Sequence, residues 1–316
     1  VKYMKMQMED YIRISPDVMK KNLDNRKSLT EKLVEYYLSS NKKDICIIAS
    51  GSSLNGAITA EMFMTNNLKC NVYCVSPTEF INYRMEKMRE CNLIVVSQSG
   101  CSTNIIQLVE ILKKNKMDYF CLTGNKNGDL YTYSDNVIEY GVDNETIGYV
   151  TLGFVTLVEF LILFANEVAL KRRTITEDKY SENLQNLERA IATSRELYKE
   201  SENFVKLYYD QIFKMDSAII VADGANMGTA REAALKISET LKIPAVYYES
   251  EEYAHGPNMQ LTPWYHVFFI DFNPKSDRMY NVFNATGTVT KNVYLVTNRK
   301  VKRQNNVIEL GAGIDS

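Results

Sequence analysis

Histidine is scarce in this chain: two residues in 316, at positions 255 and 266. Zinc sites built on paired histidines are not expected, and neither a metal nor a cofactor is expected. There is no basic excess either. Lysine and arginine number 37 against 39 aspartates and glutamates, a formal net charge of −2, so nothing draws the chain to nucleic acid. The lysine clusters at 113–116 and 171–173 read as solvated helix faces. No apolar run reaches membrane-spanning length; the nearest, Thr151 to Ala165, is short and carries Glu159. The first residues (VKYMKMQMEDY) lack the apolar core of a signal peptide. No C-x-x-C pair occurs among the six cysteines, and Cys46, Cys74 and Cys121 sit in apolar runs as small buried residues. These absences point to a reduced, cytoplasmic setting, with neither membrane nor nucleic acid as a partner. What remains is a globular composition, 45% apolar and 24% charged, long enough for two domains.

Strand and helix patterns alternate along the chain. A helix is expected over 17–40, supported by Pro16 near its start and by Val18, Leu23, Leu33, Val34 and Tyr37. Strands follow at 44–50, 71–76, 92–99, 118–124 and 136–141, with helices between them, including one through Arg89 and one to Lys114. Five apolar strands separated by helices imply a parallel sheet covered on both faces. From Ile147 to about Gln211 the pattern is nearly all helical, a join between two halves. The alternation restarts with a strand and its turn over 216–228, strands near 245–250, 266–274, 292–298 and 305–311, and helices over 229–241 and 276–285.

IVVSQSGCST, Ile94 to Thr103, carries the most chemistry. Four apolar strand formers lead into Ser97, Gln98, Ser99 and Gly100, then Cys101, Ser102 and Thr103, where a helical pattern begins. The first N–H groups of a helix have no partner in the chain and the helix dipole is positive there, so an anion is favoured. So many hydroxyls exceed what a cap needs. A phosphate cradle is the preferred reading. IIASGSSLNGAITAEMF (47–63) and IVADGANMGTAREAAL (220–235) share a strand, a loop glycine at 51 and 224, and a helix rich in small residues. The second copy of the phosphate loop reads FIDFNPKSD (269–277), with Pro274 where free N–H groups are wanted, so one phosphate site per chain is expected. The loop after the first strand, GSSLNG, is not G-x-G-x-x-G, which disfavours a dinucleotide binder.

Glu232, Lys236 and Glu239 share one helix face by i, i+4, i+7 spacing. Spacing alone leaves two readings, a solvated face or one turned into a cleft at the strand ends. His255 sits in an acidic loop (ESEEYAHGP, 249–257); the acids favour a raised pKa, and Gly256-Pro257 fixes its position. His266 opens an apolar strand and reads as structural.

With these residues in place the chain resembles the double-SIS (sugar isomerase) family: the isomerase half of glucosamine-6-phosphate synthase, phosphosugar deaminases and fructosamine-6-phosphate deglycases. Ser97-Gln98-Ser99-Gly100-x-Ser102 is similar to the family's S-Q-S-G-x-[ST] loop. Gly51-Ser52-Ser53 is similar to its G-[TS]-S turn, Glu232-x-x-x-Lys236-x-x-Glu239 to its E-x-x-x-K-x-x-E helix, and His255-Gly256-Pro257 to its H-G-P loop. Residues 147–151 match the sugar-lining segment more weakly. The resemblance implies two tandem flavodoxin-like or Rossmann-like three-layer α-β-α SIS domains with parallel sheets. They would cover 30–165, which binds phosphate, and 212–316, which carries the catalytic helix and histidine loop, joined by a helical connector over 166–211.

It further implies that Ser97, Gln98, Ser99 and Ser102 hold a sugar 6-phosphate, with Ser53, Thr151 and Glu232 nearby. Glu239 would move a proton between C1 and C2, Lys236 would support it, and His255 would assist ring opening or protonate the leaving group from a partner subunit of a homodimer or higher oligomer. The expected substrate is an amino-sugar or ketoamine (fructosamine) 6-phosphate. The alternatives are glucosamine-6-phosphate deamination and a non-catalytic phosphosugar sensor; sensors of this fold lose the Glu and His that this chain retains. Three departures stand out. No glutaminase domain precedes the repeat, so glutamine-dependent amidotransfer is not expected. The sequence stops at Gly-Ala-Gly-Ile-Asp-Ser316, where the family continues into a last helix and a tail lysine, and Leu152 and Gly153 replace the family's lysine after Thr151.

Overall fold

The computed structural model describes residues 6–142, 145–273, 275–301 and 306–309. Pro274 and residues 311–316, singled out above, lie outside the described residues. The chain divides into two compact units, Val1–Glu188 and Arg189–Ser316.

The first unit opens with α1 (Met8–Asp24) and α2 (Arg26–Ser39). The single helix expected over 17–40 is thus two, parted at Asn25, and the first starts well before Pro16. Proline inside a helix leaves the carbonyl four residues back without its N–H donor. Here Ser15 Oγ donates to Ile12 O at 2.8 Å, which lets the helix continue. There follow β1 (Ile45–Ile48), α3 (Ser52–Leu68), β2 (Val72–Val75), the short α4 (Pro77–Glu79), β3 (Asn92–Ser97), α5 (Thr103–Lys114), β4 (Tyr119–Thr123), α6 (Leu130–Tyr133), β5 (Val137–Glu139) and α7 (Leu152–Lys171). The helix expected through Arg89 is instead α4, a π turn over Phe80–Arg84 and a 3-10 turn over Lys87–Glu90.

All strands pair in parallel, in the order β2-β1-β3-β4-β5. Side chains alternate across a strand. Ile45, Ile47, Ile94 and Val96 therefore meet α2, α3 and α7 on one face, while Cys46, Ile48, Leu93 and Val95 meet α5 on the other. Each such large side chain stabilises the fold by about 1.5–3 kcal/mol through burial. The axis of the first face is α3 against α7. At Gly56 an added Cβ would sit 3.3 Å from Leu157 Cδ2, so the small residues of α3 permit that approach.

The apolar run judged too short to span a membrane extends in α7 to 20 residues and passes that test by length and composition. Within its most apolar stretch 78% is buried inside the protein, so it is a core helix. Asn166 and Glu167, which interrupt the run in sequence, are buried and hydrogen-bonded: Asn183 Nδ2 donates to Asn166 Oδ1 at 2.9 Å, and Tyr180 Oη to Glu167 Oε1 at 2.6 Å. The cysteines are all free. Cys46 and Cys121 are buried as expected, whereas Cys74 is only half-buried and Cys101 is exposed.

A long helix, α8 (Glu177–Leu207), leads to α9 (Tyr209–Phe213), β6 (Ala218–Ala222), α10 (Asn226–Leu241), β7 (Ala245–Glu249), α11 (Ser250–Ala254), β8 (His266–Asp271), α12 (Arg278–Thr286), β9 (Val293–Thr297) and β10 (Val307–Glu309). The second sheet, also parallel, runs β10-β9-β8-β6-β7. Counted from each unit's first strand, both sheets follow the order 2-1-3-4-5, with a switch point beside the first strand, where open α/β sheets bind ligands. Gly51 and Gly224 both turn the chain after that strand with positive φ, 56° and 53°, a region glycine enters without steric cost. In the second sheet Ile219, Val221, Val267 and Phe269 pack under α12, and Ala218, Ile220 and Ala222 under α10.

Candidate functional site

Ser97 is the last residue of β3 and is buried. Its hydroxyl donates to Ser102 Oγ at 3.0 Å, and Ser99 Oγ lies 3.4 Å from the same atom. Ser102 is the N-cap residue of α5, yet its side chain makes no capping bond to the helix. The hydroxyls converge beside the helix N-terminus instead of serving it, an arrangement suited to an anion. The loop is held from its outer side. Gly100, at φ +68°, packs so closely that an added Cβ would meet Gly128 Cα and Thr123 Oγ1 at 2.9 Å. Asn125 Nδ2 donates to Ser99 O at 2.9 Å, and Leu130 N to Gly100 O at 2.9 Å.

A cavity of about 380 Å³ opens at this point, lined by Ser53, Ser97, Gln98, Ser99, Ser102 and Glu145 among others. Ser53 arrives from the first turn of α3. Asn104 Nδ2 donates to Ser50 Oγ at 2.9 Å, tying the β1–α3 turn to α5. Five of the predicted binding residues are thus brought together. Thr151 is the N-cap of α7, outside the cavity lining; its hydroxyl donates to Tyr149 O at 2.9 Å.

Glu145 was not anticipated. Its Oε1 accepts from Thr151 N at 2.7 Å and Leu152 N at 2.9 Å, and its Oε2 from Gly153 N at 3.0 Å and from Gln98 Nε2 at 3.3 Å. A carboxylate thus caps α7 and steadies the glutamine of the serine loop. The available signal was an acid shortly before a helix, but its spacing matches no capping box.

In the second unit, α10 aligns Glu232, Lys236 and Glu239. Lys236 Nζ lies 2.6 Å from Glu239 Oε2 and 3.4 Å from Glu232 Oε1. The side chains are 13%, 32% and 9% exposed in the order Lys236, Glu239, Glu232, so this face is not solvated surface. His255 ends α11, and its ring is exposed. Nearby, Glu249 accepts from the N–H groups of Glu251 and Glu252 at 2.8 and 3.0 Å, and Glu251 pairs with Arg278 at 2.6 Å. His266 is buried, with Nε2 2.9 Å from Gln211 O, the structural placement expected of it.

At the carboxyl ends of the second sheet the chemistry is inverted. Asp271 holds the place that Ser97 holds in the first, as last residue of the third strand, and is fully buried. Arg299 Nε lies 3.2 Å from Asp271 Oδ2, and the guanidinium also pairs with Asp277 and donates to the carbonyls of Asn273 and Ser276. Burial pushes the Asp271 carboxyl up, opposed by the Asn273 N–H and Arg299; burial also pushes Asp223 up, with the charges of Asp271 and Glu249 adding to it. Carboxylates at the strand ends, one of them paired with the chain's own guanidinium, do not suit a phosphate.

Residues 38–165 match the family model of the SIS domain. This segment is an SIS domain. It contains the whole cradle, from Ser53 to Ser102, together with Glu145. Over 271 residues the chain is 27% identical to the isomerizing glutamine–fructose-6-phosphate aminotransferase of Cyanidium caldarium, an alignment covering 81% of this chain and 42% of that protein. The chain therefore spans less than half the length of that curated relative. Among solved structures it is similar to a suggested phosphosugar isomerase from Clostridium difficile 630 (TM-score 0.89, 23% identity, 98% of this chain and 87% of that one). The C-terminal domain of glucosamine-fructose-6-phosphate aminotransferase from Francisella tularensis is also similar (TM-score 0.79, 20% identity, 98% and 90%). At these identities the likeness is one of fold: the SIS domain sits in an α/β chain whose two five-stranded parallel sheets match those structures.

Proposed function

We propose that the chain is an enzyme acting on an amino-sugar or ketoamine 6-phosphate, by deglycation, deamination or isomerisation. The observation that carries this reading is the convergence of Ser97, Ser99 and Ser102 on one point beside the α5 N-terminus, with the Ser102 hydroxyl uninvolved in its own cap. Hydroxyls and unpaired N–H groups at a helix start bind a phosphate monoester without a cationic side chain. Ser53 and Gln98 complete the lining, with Thr151 beside it. In this reading 212–316 is a second SIS domain and 166–211 a connector.

The chemistry falls to Glu239, Lys236 and His255, with Glu232 behind them. Exchange between ketose and aldose forms requires a base to take a proton from one of two adjacent carbons and return it to the other. Glu239 is given that task. Lys236, 2.6 Å from it, holds the carboxylate in place. His255 is the acid or base for ring opening or for the departing amine. The working form is a homodimer or higher homo-oligomer in the cytoplasm.

The test is direct: incubation with fructosamine 6-phosphates and glucosamine 6-phosphate, following released amine or ammonia and aldose–ketose exchange. Turnover of at least one supports the enzyme. Binding without turnover makes the chain a phosphosugar sensor.

A further inference from the structure

We infer that Glu145 sets the charge specificity of the cavity: it admits a sugar carrying one anionic group and excludes a sugar bisphosphate or a phosphorylated sugar acid. The inference rests on the phosphate reading above and asks which phosphosugars that site accepts.

Three helices of ordinary length present their starts to this region: α3, whose first turn supplies Ser53, α5 and α7. The start of α5 is flanked by Ser97, Ser99 and Ser102. The start of α7 is already occupied, because the Glu145 carboxylate takes the N–H groups of Thr151, Leu152 and Gly153 at 2.7, 2.9 and 3.0 Å. A carboxylate has about four acceptor positions. Gln98 Nε2, at 3.3 Å, takes the fourth. The group is saturated and does not turn to meet a ligand. It instead closes the α7 start to a second anion and sets a fixed negative charge in the lining.

Glu145 is also the one ionisable side chain among the described residues lining the cavity. A second anionic group on the ligand would meet a fixed like charge with no lysine or arginine among the described lining residues to offset it, a juxtaposition that disfavours binding in a partly desolvated setting.

The fit around this group is close. An added Cβ on Gly153 would fall 2.7 Å from Gln98 Cγ and 3.1 Å from Glu145 Oε2. Glycine at this position therefore lets the glutamine lie against the carboxylate. Because a carboxylate only accepts, the contact also fixes which end of the Gln98 amide faces it. Glu145 thereby positions a lining residue of the phosphate loop as well as closing the second helix start.

The experiment is calorimetric binding of four probes, glucosamine 6-phosphate, glucose 6-phosphate, gluconate 6-phosphate and fructose 1,6-bisphosphate, to the full chain and to its Glu145→Gln and Glu145→Ala variants. The wild-type chain is expected to bind the two probes with one anionic group at least about tenfold more tightly than the two probes with two anionic groups. Both variants should narrow that ratio, and Glu145→Ala, which frees the α7 N–H groups, should narrow it more. A wild-type chain that binds gluconate 6-phosphate as well as glucose 6-phosphate overturns the inference. So do variants that lose affinity for all four probes by one common factor, since a merely structural role gives that result. If Glu145→Ala does not fold, the wild-type ratio and Glu145→Gln still decide. Failure of all four probes to bind the wild-type chain would instead remove the phosphate site itself.

Discussion

Ser97 and Ser102, five residues apart, join the end of β3 to the start of α5 through one hydroxyl–hydroxyl hydrogen bond of 3.0 Å. That bond aligns two oxygens, with Ser99 3.4 Å from the second, where a phosphate would bring three acceptors. Hydrogen bonds to a charged group are worth about 1.5–3 kcal/mol. Ser99→Ala and Ser97→Ala should each weaken phosphosugar binding by roughly ten- to a hundredfold, measured by calorimetry, with little change in turnover at saturation. An unchanged affinity in both removes the phosphate assignment.

Glu239→Gln and His255→Ala should act on the other kinetic parameter. Loss of a general acid or base lowers turnover by about 10²–10⁴-fold. Apparent substrate affinity should change far less, because neither residue is assigned to the phosphate. Steady-state kinetics of each variant checks this, and near wild-type rates in both would end the acid–base reading.

Arg299 and Asp271 make a prediction about stability. Asp271 is fully buried, and Arg299 is its ion-pair partner at 3.2 Å. Removing one member of a buried pair leaves an uncompensated charge and costs about 3–5 kcal/mol. Arg299→Met should lower the urea midpoint accordingly, and the added Asp271→Asn change should restore part of the loss. Equal stability of the single and double variants would contradict the pairing.

Much of this was legible in the sequence for local reasons. The apolar strands, the glycine turns at 51 and 224 and the serine loop are signals carried within a dozen residues, and each stands where the pattern placed it. The misses share a different cause. Glu145 acts on backbone N–H groups six to eight residues ahead, which no side-chain pattern marks. The continuation of α1 through Pro16 depends on one serine hydroxyl, and α7 outruns its apolar stretch because Tyr180 and Asn183, from the next helix, satisfy Glu167 and Asn166. The Asp271–Arg299 pair links residues far apart in sequence. The exposure of His255 and the withdrawal of Glu232 and Lys236 from water are likewise set by tertiary packing that spacing does not encode.

Glu159 gives the protein a pH dependence. It is 1% exposed on α7, with Asn22 Nδ2 donating to Oε2 at 3.1 Å. Burial pushes its carboxyl up to about 8, against a smaller opposing effect of Asn22. The folded state thus keeps a proton that the unfolded chain releases near its ordinary value of about 4.3. The stability this confers is complete below that value and is lost as pH rises through about 8. Chemical denaturation between pH 5 and pH 8 (roughly the span between the two pKa values) should show wild-type stability falling relative to Glu159→Gln. Parallel pH profiles for the two proteins would refute the buried neutral acid.

The most direct test of the central claim is a calorimetric comparison of glucosamine 6-phosphate with glucosamine. A phosphate anchor in the first sheet, and an Asp271–Arg299 pair at the matching strand end of the second, predict one equivalent of the ester bound per chain. They also predict affinity for the unphosphorylated sugar lower by at least about a hundredfold, the loss of two or more charge-assisted hydrogen bonds. Equal affinity for the two sugars, or two equivalents of ester per chain, would contradict the account.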